Sequence, residues 1–135
     1  MQKHIQSGEA LRQEVRHHLK AYNSKFLEIQ DDLEIVFDER DANGKLLGGL
    51  VCTIVGQWLE IDYLWVETSQ RYKGLGSRLL IEAEAEAVKR GCKYAVLHTY
   101  SFQARPFYEK HGYHLAFVQK HYPIVNVKYH MTKTL

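Results

Sequence analysis

The sequence predicts a single α/β domain over residues 1–135, built on a mixed, mostly antiparallel sheet of six to seven strands. Three observations predict it. Three β-rich segments follow one another between Leu33 and Val66, joined by an Asn43-Gly44 turn and a Gly56-Gln57 turn, which is the pattern of an antiparallel meander. A strand, a long helix and a second strand then run from Leu59 to Thr99, so one βαβ crossover places two parallel strands in the sheet. Two further segments, Tyr113–Gln119 and Val127–Thr132, close the chain around a loop that holds Pro123.

Taken in order, Lys3–Gln6 is expected to form a short first strand. Ser7 is positioned as an N-cap with Glu9 in the first turn behind it. Leu11, Val15, Leu19 and Tyr22 then recur at helical spacing, with Arg12, Glu14, Arg16 and Lys20 between them, which predicts an amphipathic helix over Gly8–Tyr22 ended by Asn23-Ser24. Phe26, Leu27 and Ile29 are expected to add a short second helical turn. Leu33–Phe37, Leu46–Val55 and Trp58–Val66 are the meander strands. The Gly48-Gly49 pair inside the second implies a bulge or a close neighbour.

From Gly74 to Arg90 the run Glu82-Ala83-Glu84-Ala85-Glu86-Ala87 alternates like a strand. Ala and Glu are strong helix formers, however, and the segment is too long for one strand. Leu75, Leu79, Leu80, Ala83 and Ala87 make the apolar stripe, the glutamates a solvated face, and Gly91 the stop after Lys89-Arg90. Tyr94–Thr99 is the next strand, and Ala104–His111 a short helix with Pro106 in its first turn and Gly112 at its end.

Composition narrows the function classes. Hydrophobic residues at 45% and charged residues at 25% suit an ordinary globular core that needs no covalent staples. A net charge of +2 is too mild for a nucleic-acid partner. No apolar run approaches the ~18 residues of a membrane span, and the opening MQKHIQSGEA carries no apolar signal segment. Cys52 and Cys92 are far apart and form neither a disulfide framework nor a zinc pair. The eight histidines include no HExxH or His-x-His pattern, so no metal is expected. A cytoplasmic setting is the expectation.

The stretch Leu64–Leu80, LWVETSQRYKGLGSRLL, carries the chemistry. It ends a strand, crosses a polar turn and enters a helix through Arg71-Tyr72-Lys73-Gly74-Leu75-Gly76. Such a loop aims backbone N–H groups at one point before the helix N-terminus, where the dipole favours negative charge. Gly74 and Gly76 let a ligand reach the main chain, and Arg71, Lys73 and Arg78 add positive charge. The loop therefore reads as an anion cradle, suited to a pyrophosphate. A dinucleotide fingerprint fails because Leu79 stands where the third glycine belongs, and Gly76-Ser77-Arg78 is not the Gly-Lys-Ser/Thr of a Walker loop. The HRD and DFG segments of a kinase are absent.

Arg71-x-x-Gly74-x-Gly76, preceded by Leu64-Trp65-Val66, resembles the acetyl-CoA signature of the GNAT N-acetyltransferase superfamily. About thirty residues on, Ala104-Arg105-Pro106-Phe107-Tyr108-Glu109-Lys110-His111-Gly112-Tyr113 resembles the family's A-x-x-x-Y-E-K-x-G-F/Y segment. The resemblance covers roughly Leu46 to the C-terminus. It implies the acyl-CoA N-acyltransferase fold, in which the parallel strands Trp58–Val66 and Tyr94–Thr99 splay apart at their C-terminal ends. It also implies pantetheine beside Leu64, Trp65 and Val66, and pyrophosphate on Arg71, Tyr72, Lys73, Gly74, Leu75, Gly76 and Ser77. Ser101 stands where relatives often carry a pantetheine-contacting Asn, with Gln103 as a substitute. Arg105 is expected to meet a CoA phosphate or solvent.

Acetyl transfer to an amine needs a neutral nucleophile, although a lysine-like amine titrates near ~10.4. Glu60 and Asp62 are the candidate bases, alternating on the third meander strand and expected to share one face with Leu64 and Val66. Glu60 lies eleven residues before Arg71, where some relatives carry a catalytic glutamate; other relatives pass the proton through water. Tyr108 matches the family tyrosine that reaches the CoA sulfur, and is the candidate acid. The expected function is transfer of acetyl from acetyl-CoA to a primary amine. Glu60 and Asp62, with Asp31 and Asp32, point to a small cationic acceptor. A protein amine, a different acyl group, or an acyl-CoA sensor without turnover stay open, as does a homodimer using exposed aromatics such as Trp58 and Tyr122.

Overall fold

The computed structural model describes every residue except His4, Gln6, Ile29 and Gln30. The chain forms two compact units, Met1–Asp31 and Asp32–Leu135. The strand expected over Lys3–Gln6 lies partly outside the described residues, and its described members Lys3 and Ile5 have no strand conformation. Helix α1 spans Glu9–Asn23 and ends at Ser24. Its N-cap is Gly8 and not Ser7, because the Gly8 carbonyl already accepts the Arg12 N–H at 2.8 Å. The second helical turn expected from Phe26, Leu27 and Ile29 does not form over the described residues: a turn over Ser24–Phe26 closes α1, with the Phe26 and Leu27 N–H groups returning to the Asn23 carbonyl at 2.9 and 3.0 Å, and Ile29 lies outside the described residues. No described helix is long and apolar enough to cross a membrane.

The second unit carries β1 (Leu33–Arg40), β2 (Leu46–Val55), β3 (Trp58–Val66), α2 (Leu75–Lys89), β4 (Tyr94–Tyr100), α3 (Arg105–Lys110), β5 (His114–Lys120) and β6 (Val127–Thr134). The six strands lie in the order β1-β2-β3-β4-β6-β5. Every neighbouring pair is antiparallel except β3–β4. The first hairpin turns where Asp41 Oδ1 accepts the N–H groups of Asn43 and Lys45, and Gly44 takes φ +84°.

Helix α2 buries Leu75, Leu79, Leu80, Ala83 and Ala87 in one core with Leu50, Cys52, Ile54, Leu59, Ile61, Ala95, Leu97 and Met131. Each large aliphatic side chain buried there contributes about 1.5–3 kcal/mol. Gly48 is the close neighbour its sequence context implied. A Cβ there would sit 2.8 Å from Leu75 Cδ2 and 3.2 Å from the Trp65 carbonyl, so only glycine lets α2 start this close to β2.

Two further sequence expectations change. Glu84 is not on a solvated face: it is buried, accepting the Tyr113 hydroxyl at 2.9 Å and the Lys133 ammonium at 2.7 Å. Those partners come from the far end of the chain and supply the pairing that a buried carboxylate requires. Nor do Glu60 and Asp62 share a face with Leu64 and Val66. Cys52 pairs with Ile61 but Val51 with Tyr63, so Asp62 is the extra residue of a β-bulge. Before it Leu59 and Ile61 face the core; after it Leu64 and Val66 do, while Tyr63 and Trp65 turn outward at 74% and 49% exposure.

Candidate active site

The parallel pairing of β3 and β4 covers only Trp58–Tyr94, Leu59–Ala95 and Glu60–Val96. Beyond it β3 runs on to Val66 and β4 to Tyr100 without pairing to each other. The strands therefore part at their C-terminal ends, and the β3 backbone edge from Ile61 through Leu64, Trp65 and Val66 is left open toward the gap. Ligands of open α/β sheets bind at this end of the strands.

Past β3, a single 3-10 turn (Thr68–Gln70) leads into the Arg71–Gly74 loop. Tyr72 and Gly74 take φ +63° and +83°, left-handed positions that tighten the loop ahead of the helix. A tyrosine pays for that conformation in strain, and here its side chain projects fully into solvent. The first helical bond of α2 runs from Arg78 N–H to the Gly74 carbonyl at 3.0 Å, so the N–H groups of Leu75, Gly76 and Ser77 precede it. These groups, with the exposed Arg71 and Lys73, make a positive pole that fits a phosphate. Arg78 leans away to Glu39 at 3.6 Å.

Helix α3 packs on this pole. A Cβ on Gly76 would lie 3.5 Å from both the Phe107 ring and Val66 Cγ2. Phe107 meets His111 at 4.8 Å between ring centroids, and His111 Nε2 shares a hydrogen bond with Ser77 Oγ at 2.9 Å. That contact spans 34 residues, and no local pattern signals it. Tyr108 is buried, edge-on to Phe107 at 5.1 Å and to Tyr113 at 5.9 Å. Burial pushes its hydroxyl up to about 12, and the hydroxyl has no hydrogen-bond partner among the described residues.

The residues between β4 and α3 are tied to the protein. Ser101 N–H donates to the Val127 carbonyl at 2.8 Å. The Gln103 side-chain carbonyl accepts the Tyr100 N–H at 2.7 Å and the Thr99 hydroxyl at 3.3 Å and closes the strand end. Arg105 pairs with Glu109 at 3.1 Å and lies over the Tyr129 ring at 4.7 Å. Trp58 leans on Tyr94 at 5.1 Å and Tyr122 on Tyr100 at 5.9 Å, both tilted.

Glu60 and Asp62 lie on the sheet face opposite α2. Thr53, paired with Glu60, donates its hydroxyl to Asp62 Oδ2 at 2.6 Å and draws that carboxylate onto the same face. Partial burial, then the charges of Asp62 and Asp32, push Glu60 above the ordinary carboxylate value. The structure thus places the positive pole and Tyr108 on the α2–α3 side and two carboxylates on the face opposite α2, with the β3–β4 gap between them.

Residues 5–113 match the model of the acetyltransferase (GNAT) family. The chain is 47% identical over 81 residues to blasticidin-S acetyltransferase of Streptomyces morookaense, a stretch covering 59% of this chain and 60% of that protein's length. An acetyltransferase of Bacillus cereus, solved as a crystal structure, superposes with a TM-score of 0.88 at 34% identity over 98% of each chain. An aminoglycoside 6'-N-acetyltransferase solved with coenzyme A shares the fold, with a TM-score of 0.67 at 19% identity over 98% of this chain and 95% of that one.

Proposed function

Because the chain belongs to the acetyltransferase (GNAT) family, we propose that it moves an acetyl group from acetyl-CoA to the primary amine of a small cationic molecule. The observation that carries this reading is the parting of β3 and β4 after Glu60 and Val96, flanked by a phosphate-suited pole and a pair of carboxylates. Acetyl-CoA supplies the acetyl group and a thiolate leaving group. Arg71, Lys73 and the N–H groups of Leu75, Gly76 and Ser77 hold the pyrophosphate. The open β3 edge at Leu64, Trp65 and Val66 pairs with pantetheine, flanked by Ser101, Gln103 and Arg105. Tyr108, protonated throughout the working range because burial raises it to about 12, donates to the leaving thiolate. Glu60 and Asp62 attract the acceptor's ammonium. Tyr63 and Trp65, turned out by the bulge, offer aromatic surface to the same cation.

The relative named for blasticidin-S supports a small antibiotic-like acceptor. The test is thiol release with a panel of polyamines, aminoglycosides and blasticidin-S set against lysine peptides. Release with a small cationic amine is expected. Release with peptides alone would overturn the acceptor class, and acetyl-CoA binding without release from any amine would make the chain a sensor.

A further inference from the structure

On the open face of the sheet, the mouth of the β3–β4 gap is flanked by two titratable side chains. Pairing ends at Glu60–Val96, and two residues beyond it stand Asp62 on β3 and His98 on β4. Ala95, Leu97 and Thr99 are buried on the α2 side, so Val96 and His98 alternate onto the face of Glu60. Thr53 holds Asp62 on that face at 2.6 Å. The His98 ring is exposed, has no hydrogen-bond partner among the described residues, and rests 6.0 Å from the ring of His130 on β6. His130 is itself fixed by Gln119 Oε1 at 3.0 Å and by the Phe117 ring at 5.4 Å. The result is a braced wall with one free imidazole at the gap.

We propose that His98 takes the proton from the acceptor amine, while Glu60 and Asp62 hold the ammonium in place. The assignment rests on the acetyl-transfer reading above. A carboxylate is a poor match for a lysine-like ammonium near ~10.4, whereas an imidazole titrates closest to neutral pH. Asp62 also has one oxygen committed to Thr53. The titratable and charged groups facing His98 are Asp62 and Glu60 from β3 and Lys128 and His130 from β6. Partial burial, then Lys128, then His130 hold His98 below the usual histidine value, while Asp62 works in the opposite direction. His98 is thereby neutral at pH 7 and able to accept, and Asp62 steadies the imidazolium once it forms.

The ammonium has two protons to lose. One passes to His98 and frees the nitrogen lone pair, which forms the C–N bond to the acetyl carbon. The C–S bond breaks, its electron pair leaves on sulfur, and the second nitrogen proton reaches that sulfur by way of Tyr108. His98 returns its proton to solvent, to which it is open.

The test compares the parent with His98→Gln, using an amine that releases thiol with the parent and following turnover against pH. Parent turnover should rise through an acidic limb below the ordinary histidine value and then level. The variant should lose roughly 10²–10⁴-fold at pH 7, and its rate should climb steadily with pH as free amine accumulates. Its thermal shift with acetyl-CoA should match the parent's, since an exposed side chain on the open face holds no part of the donor. Parent-like turnover with the limb intact would remove His98 alone and leave acetyl transfer standing. Loss of the acetyl-CoA shift would mark His98 as structural and overturn the assignment. Failure of the parent to release thiol with any amine would overturn both readings.

Discussion

Tyr108 joins two demands in one side chain. Its ring fills space between Phe107 and Tyr113, and its hydroxyl has no hydrogen-bond partner among the described residues. Tyr108→Phe keeps the ring contacts, so melting temperature and acetyl-CoA affinity should change little while turnover falls tenfold or more. A thioester whose thiol leaves more easily should shrink the defect. Glu60 makes the complementary case. Its carboxyl is raised in the folded chain, chiefly by partial burial, so the folded state disfavours the charged form. The unfolded chain ionises first as pH rises, and stability is lost across the interval between the unfolded and the folded value. Glu60→Gln should therefore raise the melting temperature slightly at pH 7 and leave it nearly unchanged below the unfolded value near ~4.3, as measured by thermal melts at both pH values. A gain in stability on removing a side chain proposed to hold substrate is the trade expected of a functional site.

The element that matters most is the start of α2. Gly48 lets Leu75 close on β2, and the left-handed Gly74 turns the chain into the helix. Leu75, Gly76 and Ser77 are thereby presented with free N–H groups. A Cβ at Gly76 meets only ordinary contacts, with Phe107 and Val66 at 3.5 Å, so Gly76→Asp should fold. Its carboxylate would occupy and repel the anion pole. Acetyl-CoA at a hundredfold excess over Kd should stabilise the parent by about 2.7 kcal/mol, read as a rise of several degrees in melting temperature. The variant should show no such rise; an undiminished shift would reject the pole as the pyrophosphate site.

At the scale of the whole molecule, segments remote in sequence are locked together at Glu84. Its carboxylate joins α2 to Lys133 on β6, 49 residues on, and to Tyr113, which leads into β5. Gly112, with φ +88°, lies where a Cβ would touch the Lys133 stem at 3.5 Å. Removing one member of a buried pair strands the other, at roughly 3–5 kcal/mol. Lys133 keeps some solvent access, so Glu84→Gln should cost at the lower end of that range, measured by denaturant unfolding. Replacing all three members, with Glu84→Leu, Lys133→Met and Tyr113→Phe, should recover most of the loss, because no buried polar group is then left unpaired.

Local chemistry made much of this legible beforehand. The bounds of β2 and β3 follow from apolar runs set between glycine turns, and α2 from helix formers that end at Gly91, where φ is +94°. The Arg71–Gly76 loop announced its place between strand and helix, and the resemblance located Tyr108. What local pattern did not reveal depends on partners elsewhere in the chain. The bulge at Asp62 arises from register against β2, and it reverses which side of β3 faces the core. Glu84 reads as one of three alternating glutamates until Lys133 and Tyr113 arrive to pair with it. His98 reads as one more strand residue until β3 and β4 part beside it and β6 brings His130 alongside. The sequence by itself determined most of the elements, the loop between β3 and α2 and the family, because propensity, turns and motif spacing act over a few residues. Only the tertiary structure decided which carboxylates and which histidine line the gap, because register and burial are set by strands far apart in the chain.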